Sequence, residues 1–517
     1  ANQVWTTGTA AAGTSQIVVN GLVSGTGSLT LNGTAGFANT PVYLNNGGNT
    51  FSGGVTLNSG AAVRFSGSAI SSSGTTSSSA IGAGNLTING GTIYGAGSFI
   101  TPAVTTVNGD FAVNTGTSAL NGRLTFGGGT IDLGNASRTV SLGRYATAAG
   151  VLTGGFESFR LLQGAGAPVL SVQSGTMRFV RDALSSPTAS DYVSVNFGPG
   201  STFASGAGLT IGDHVITSMA STNPFGTTAG AQPNVIVESG GYFNMSDATN
   251  ARSPVIRSLS GTGTVTSFTT VSGTSVLTIN PQSGDSATFA GTIVDGSTLT
   301  SVVAGATGVV AITKTGTGIQ ILSGNNQYSG ATVVSVGTLV INGDQSLSTG
   351  SVTISANATL AGDGTVGGAT TGNGNAVIRP GSTGLSGSIG SLAFSQSLNA
   401  NNADFLMEIA SPLSFDSIVI TGAFTMSGDL VVDALSALGT STYNLFDFGS
   451  KSGNFASVTV GGSALTRSGD VWTDTGGLYS FNQADGVLTT VPEPSTWMLL
   501  GLGFTGLMFL RRGAKRS

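Results

Sequence analysis

The chain contains no cysteine and a single histidine. The first absence excludes disulfide staples and thiolate metal sites; the second leaves zinc or copper without an ordinary ligand set. Charge is scarce as well. Asp, Glu, Lys and Arg make up 8% of 517 residues, against about 25% in an average domain. Lysine occurs at Lys314, Lys451 and Lys515 alone. No basic patch is available to release counterions from a phosphate backbone, which excludes nucleic acid as a partner. Helical patterning is missing too: before Val491 no stretch shows apolar residues recurring every three to four positions.

What is abundant belongs to strands and turns. Glycine is present 83 times, about twice its ordinary usage. Hydrophobic residues are 39% of the chain, with a mean hydropathy of +0.28. That is enough apolar surface to bury a core and too much for a disordered chain. Ser28-Leu29-Thr30-Leu31-Asn32-Gly33 and Asn85-Leu86-Thr87-Ile88-Asn89-Gly90 alternate polar and apolar residues, then stop at Asn-Gly. Each reads as a short, half-buried strand ending in a turn.

These words recur. One cycle runs from Gly316 to Gly343 and includes Asn325-Asn326-Gln327-Tyr328-Ser329-Gly330, Thr332-Val333-Val334 and Gly337-Thr338-Leu339. An echo lies at Asn49-Thr50-Phe51-Ser52-Gly53, followed by Val55-Thr56-Leu57, and a partial copy at Ser258 to Thr266. The spacing is roughly 20 residues per turn of a coil, the sign of a solenoid. One unit cannot bury its apolar face alone, whereas stacked units can. These units resemble the autotransporter-associated β-strand repeat, also called the passenger-associated transport repeat, best over 257–370 and more weakly over 24–140. The resemblance implies a right-handed parallel β-helix of the kind found in surface-exposed passengers. The membrane barrel of a true autotransporter is not seen in this sequence.

Such a coil stacks rungs about 4.8 Å apart, with Val, Ile, Leu, Ala and Phe inside and Gly, Asn and Ser at corners. Asn at repeated corners can link in side-chain amide ladders. At roughly 22 residues per rung the coil would have about 21 rungs. The expected organisation is β-helix repeats over 1–140, irregular rungs over 141–256 with Pro168, Pro187 and Pro199, clean repeats over 257–375, and a C-terminal β cap over 376–490. Ser71–Ala80 reads as a low-complexity excursion. Phe405, Phe415 and Phe446 are expected in the core of the cap.

The last segment, 491–517, differs from everything before it. Pro492-Glu493-Pro494 is rigid and extended. The charge-free run Trp497 to Leu510 follows, carrying Leu499, Leu500, Leu502, Phe504, Leu507 and Phe509, and then the basic Arg511, Arg512, Lys515 and Arg516. As a helix the run would be about 21 Å long, short for a hydrocarbon core of about 30 Å unless the flanking arginines snorkel. The basic end would stay cytoplasmic and the rest outside. This three-part segment resembles the sorting signal of PEP-CTERM proteins. The resemblance implies export, transient retention in the inner membrane as a single hydrophobic helix, and tail removal by an exosortase. The protein would be membrane-anchored before processing, and at the cell surface or in the extracellular matrix afterwards. The start Ala1-Asn2-Gln3, without Met, reads as a signal-peptidase product.

Chemistry is sparse. His214 stands beside Asp213 with no nucleophile motif around it, so no catalytic residue is assigned. No calcium repeat, metal set or phosphate loop is found, and no cofactor is expected. Three classes of function remain: a structural rod of the surface or matrix, an adhesin or glycan-binding rod, and a polysaccharide lyase or hydrolase. Extracellular polysaccharide and copies of the chain itself are the candidate partners beside the exosortase. An adhesin predicts an aromatic or Asn-rich stripe on a flat face.

Overall fold

The computed structural model describes residues 1–7, 17–33, 41–65, 80–94, 98–100, 104–114, 124–126, 129–142, 157–161, 170–172, 175–181, 192–198, 201–204, 206–219, 221, 223–226 and 231–491. They are almost entirely strand; among the described residues the one helical element is a 3-10 turn at Gly296–Leu299. The chain forms two compact units, Ala1–Val333 with Gly343–Gly350, and Val334–Asn342 with Ser351–Ser517.

In the first unit, Gln3–Thr7, Leu29–Gly33, Val55–Leu57, Leu86–Ile88, Val104–Val107, Thr130–Asp132, Leu170–Val172 and Ser201–Phe203 pair in that order, each parallel to the next. Parallel neighbours cannot be joined by a hairpin, so the chain must travel round before it returns. It does so through strands of other sheets: Val42–Leu44 lies between Leu29–Gly33 and Val55–Leu57 and pairs in parallel with Ala62–Phe65. This connectivity is consistent with a β-helix.

The register aligns like with like. Leu31, Leu57, Ile88 and Val107 stand directly over one another, none more than 2% exposed. Thr30, Thr56, Thr87 and Thr106 form the neighbouring column on the opposite face. Alternation along each strand therefore puts an apolar column inside and a threonine column outside. The rungs are less even than the sequence suggests. Asn32, Asn58, Asn89 and Asn108 occupy one corner, yet are 26, 31 and 19 residues apart. The register is kept across these unequal intervals. Ser71–Ser79 of the low-complexity stretch lies outside the described residues.

The second unit repeats the principle. Thr338–Ile341, Thr359–Gly362, Val377–Pro380, Asp404–Ser411, Asp429–Ala434 and Ser457–Val460 pair in parallel. Leu339, Leu360, Ile378, Phe405, Leu430 and Val458 make a column six deep, each at most 1% exposed. Beyond it the pairing turns antiparallel: Thr466–Ser468, Val471–Thr473, Tyr479–Asn482, Val487–Thr490 and Ser441–Asn444 form a five-stranded sheet. Phe405, Phe424, Phe446, Phe455 and Phe481 fill the interior, with ring centroids 5.5 to 6.3 Å apart in successive contacts. Phe405 and Phe446 are core, as expected; Phe415 is half-buried and meets Tyr443 edge-on at 5.4 Å.

Because Leu360 is held between Leu339 and Ile378, its replacement cannot be filled from a neighbouring rung. Leu360→Ala is expected to cost about 2–5 kcal/mol, measured as a lower midpoint of chemical denaturation. Loss of less than about 1 kcal/mol would contradict the column.

Candidate functional site

The repeat word explains itself in three dimensions. Asn326 is buried, and its Oδ1 accepts the N–H of Ile293 on the preceding rung at 2.8 Å. Asn49, the matching residue of the earlier echo, is also buried and accepts the N–H of Val23 at 2.8 Å. The aromatic two residues on is buried in both copies, as Tyr328 and Phe51. The glycine that ends the word is there for space. A Cβ on Gly330 would lie 2.3 Å from the Val310 carbonyl oxygen, and one on Gly53 would lie 2.3 Å from the Ser28 nitrogen. Burial pushes the Tyr328 phenol up to about 12; its hydroxyl lies 2.7 Å from Thr332 Oγ1 and donates to Gln345 at 3.4 Å. Asp295 closes this corner by accepting the N–H of Val310 at 2.8 Å and both the N–H and the hydroxyl of Ser329, at 3.0 and 2.5 Å.

One rung needs a substitute for a strand. Ser258–Gly261 meets Ser286–Phe289 at Gly261 and Phe289. The pairing at Gly261 and Phe289 does not extend back to Leu259. The buried side chain of Gln320 takes both the N–H and the C=O of Leu259, accepting at 3.1 Å and donating at 2.9 Å, and donates to Ala287 at 3.1 Å. A primary amide has the donor and acceptor of a peptide group, so glutamine completes the ladder. Lys314 is buried as well; it donates to the carbonyls of Thr315 and Gly316 at 2.8 and 2.9 Å. Burial lowers its ammonium to about 8.

In the second unit three charged groups scattered in sequence converge. Glu408, 1% exposed at its side chain, accepts from Arg379 at 2.9 Å. It also accepts from the Ser386 hydroxyl at 2.6 Å and from the N–H of Gly387 at 2.8 and 2.9 Å. Fully buried Asp416 accepts the N–H of Gly390 and that of Glu408, both at 2.8 Å. Together the two carboxylates fasten the loop between Gly381 and Gly390. Burial raises the Asp416 carboxyl from 3.8 to about 7, with the Glu408 charge adding to it and the backbone donors opposing it. For Glu408, burial pushes up, but the Ser386, Gly387 and Arg379 donors prevail and hold it below the ordinary glutamate value.

Two kinds of outward stripe are present in the first unit. The amide ladder expected at Asn corners exists: Asn58 donates to Asn32 at 2.7 Å, Asn89 to Asn58 at 2.8 Å and Asn108 to Asn89 at 2.9 Å. His214 stands at a corner with a φ of 58°. Its ring stacks on Tyr192 at 5.3 Å and its Nδ1 lies 2.6 Å from Asp213. Tyr192 in turn meets Tyr242 edge-on at 5.4 Å, and Tyr242 meets Phe268 at 5.9 Å. The Asn ladder and the half-buried His214 end of the aromatic row are candidate contact surfaces; Tyr192 and Tyr242 pack against the buried Ile216, Phe268 and Ala306.

The tail residues singled out from the sequence lie outside the described residues. These are Pro492, Glu493, Pro494, the run Trp497–Leu510, and Arg511, Arg512, Lys515 and Arg516. The expected membrane helix falls there too; among the described residues no helix is long and apolar enough to cross a membrane. The sequence reading missed the roles of Asn49, Asn326, Gln320 and the Arg379–Glu408–Asp416 clasp. For Gln320 a signal was available, a polar residue at a position whose parity along the strand Ile319–Leu322 faces inward.

Parallel rungs with this corner chemistry place the protein among all-β folds, consistent with a β-helix. Residues 312–341 match the passenger-associated-transport-repeat family, and residues 490–512 match the PEP-CTERM protein-sorting motif. The chain thus carries a passenger repeat and an exosortase-type sorting signal. It is also similar to a protein of Brucella suis biovar 1 (strain 1330) named adhesin BmaC autotransporter, 44% identical over 78 residues. That stretch is 15% of this chain and 2% of the length of the Brucella protein.

Two expectations follow from this geometry. Asn326→Ala and Asn49→Ala each leave a buried backbone N–H unpaired and should each cost about 1–3 kcal/mol in denaturant unfolding. A neutral result at both positions would sink the shared role. Asp416 has its folded value above its unfolded one, so the stability it contributes is complete below about pH 4 and is lost as pH rises towards about 7. Glu408, held low, works in the opposite sense and loses its contribution on acidification. Asp416→Asn should therefore be less stable than the parent at pH 4, with the gap narrowing by pH 7. A gap that widens over that range contradicts the assignment.

Proposed function

We propose that the chain is an exported surface protein, a right-handed β-solenoid sorted through its Pro492-Glu493-Pro494 tail by an exosortase and held at the cell surface or in the extracellular matrix. The observation that carries this reading is the sorting motif at 490–512 together with the passenger repeat at 312–341. In-register apolar columns support a stiff, structural role, because each rung is bonded along its length to its neighbours. The inner membrane is the transient site of the tail, and the processing protease is the first partner. The carboxylates with the most specific surroundings, Asp295, Glu408 and Asp416, are engaged by backbone N–H groups. This favours a scaffold over a lyase or hydrolase, whose acids must face a groove.

An adhesive reading has its own support. The Asn ladder and the His214–Tyr192–Tyr242 row are the stripes such a protein would present, and the similar Brucella protein is named an adhesin. In this reading the solenoid displays a repeating polar face to extracellular polysaccharide.

The deciding measurement is the mass of the last peptide of protein recovered outside the producing cells. A chain that ends near Pro492–Pro494 is the expected outcome. Recovery of an intact peptide through Ser517 would replace processing with a permanent anchor.

A further inference from the structure

The first 109 residues contain one charged side chain, Arg64, and no acidic one; residues 110–490 contain 12 basic and 21 acidic side chains. Arg64 sits in the strand Ala62–Phe65, which pairs on one side with Val42–Leu44 and on the other with Thr92–Tyr94. Register places Tyr43, Arg64 and Tyr94 in one column across three rungs. Their strand neighbours Val42, Leu44, Val63, Phe65 and Ile93 are all buried, so alternation turns the column outward. All three side chains are half-buried. The Arg64 guanidinium lies over the Tyr43 ring, 5.3 Å from its centroid, and among the described residues it has no carboxylate partner. Burial, and secondarily the proximity of Tyr43, raise the Tyr94 phenol above its ordinary value; Tyr94 stands beside Arg64 in register on the next rung.

Four other arginines are ion-paired: Arg178 with Glu238, Arg252 with Asp247, Arg257 with Asp285 and Arg379 with Glu408. Arg467 lies over the Trp472 ring. Arg64 lies on the Tyr43 ring in a column that faces outward. Tyr43 and Tyr94 are two rungs apart, about 10 Å at the strand spacing, close to the length of a disaccharide unit in an extended polymer. Aromatic faces hold the apolar face of a sugar ring, and a guanidinium binds a carboxylate in a charge-assisted pair.

We propose that the Tyr43–Arg64–Tyr94 platform binds an acidic polysaccharide, with sugar rings against the tyrosines and a uronate carboxylate on Arg64. The segment's uncompensated positive charge, set in an otherwise acidic body, directs a polyanionic glycan to this part of the protein. The inference rests on the adhesive reading and names its ligand class.

The test is binding of the full chain to polygalacturonate, to the same polymer with its carboxyls reduced, and to single-stranded DNA as a plain polyanion. The parent protein should bind polygalacturonate, lose affinity on salt addition, and bind the other two poorly. Arg64→Gln should weaken binding about tenfold or more, Arg64→Lys less, and Tyr94→Leu should weaken it while leaving the salt dependence in place. Unfolding curves of all variants should match the parent, since these side chains lie outside the core. Equal binding by Arg64→Gln and the parent would overturn the platform while leaving an adhesive role to another face. Equal binding of the reduced polymer or of DNA would overturn the uronate assignment. No binding to any of the three polymers would overturn the platform too, and export would still stand on the tail mass.

Discussion

Every feature of this protein depends on the hydrogen-bonded stacking of one rung on the next. A parallel strand satisfies its N–H and C=O groups only when a neighbour lies on each side. Each rung is therefore incomplete alone, and the register that completes it also decides what stands over what. Once the backbone is in register, Leu31 must lie on Leu57 and Asn58 on Asn32. The composition follows from this one constraint. Cysteine is unnecessary where hydrogen bonds and apolar contacts repeat along a ladder, and charge is unwelcome where like would stack on like.

The same constraint explains why the buried polar residues are the ones they are. Where a strand is too short or a corner turns away, a backbone group would be left without a partner at substantial cost. The protein fills these gaps with side chains that imitate a peptide or a chain end. Gln320 replaces a missing strand for Leu259, Asn49 and Asn326 hold the N–H of the previous rung, and Asp295 holds two N–H groups at one corner. The conserved appearance of the Asn-x-aromatic-Ser-Gly word within one chain is therefore a backbone requirement. Glu408 and Asp416 extend it to a loop, at the price of burying an acid whose proton is held to about pH 7.

Much of this was legible beforehand. Alternation in Leu29-Thr30-Leu31 and Leu86-Thr87-Ile88 announced the strands, and the recurrence of the word at Asn49 and Asn326 announced the coil. Even the amide ladder could be foreseen, because a period that repeats in sequence repeats in space. The uneven spacing of rungs was harder, since corners 31 and 19 residues apart carry the same amide ladder. The clasp of Arg379, Glu408 and Asp416 was not legible. Each residue stands in a different strand or bend, and nothing local to any of them encodes the meeting. Asp416 follows Phe415 in a segment whose alternation was plain, but parity says which way a carboxylate points and not what waits there.

Interior and exterior divide the work. Inward columns must be apolar and in register, so they tolerate little variation and can recognise nothing. Outward columns keep the same spacing of about 4.8 Å but are free to choose their chemistry, and the protein chooses differently on different faces: threonine at 30, 56, 87 and 106, asparagine amides at 32, 58, 89 and 108, and aromatic rings around Arg64 and His214. A surface built this way offers regularly spaced, chemically uniform rows. A polymer of fixed period could engage several such rows at once and gain affinity from each added contact. A small solute would meet one row alone. The stacking that satisfies the backbone thus also fixes the spacing at which the surface presents its side chains.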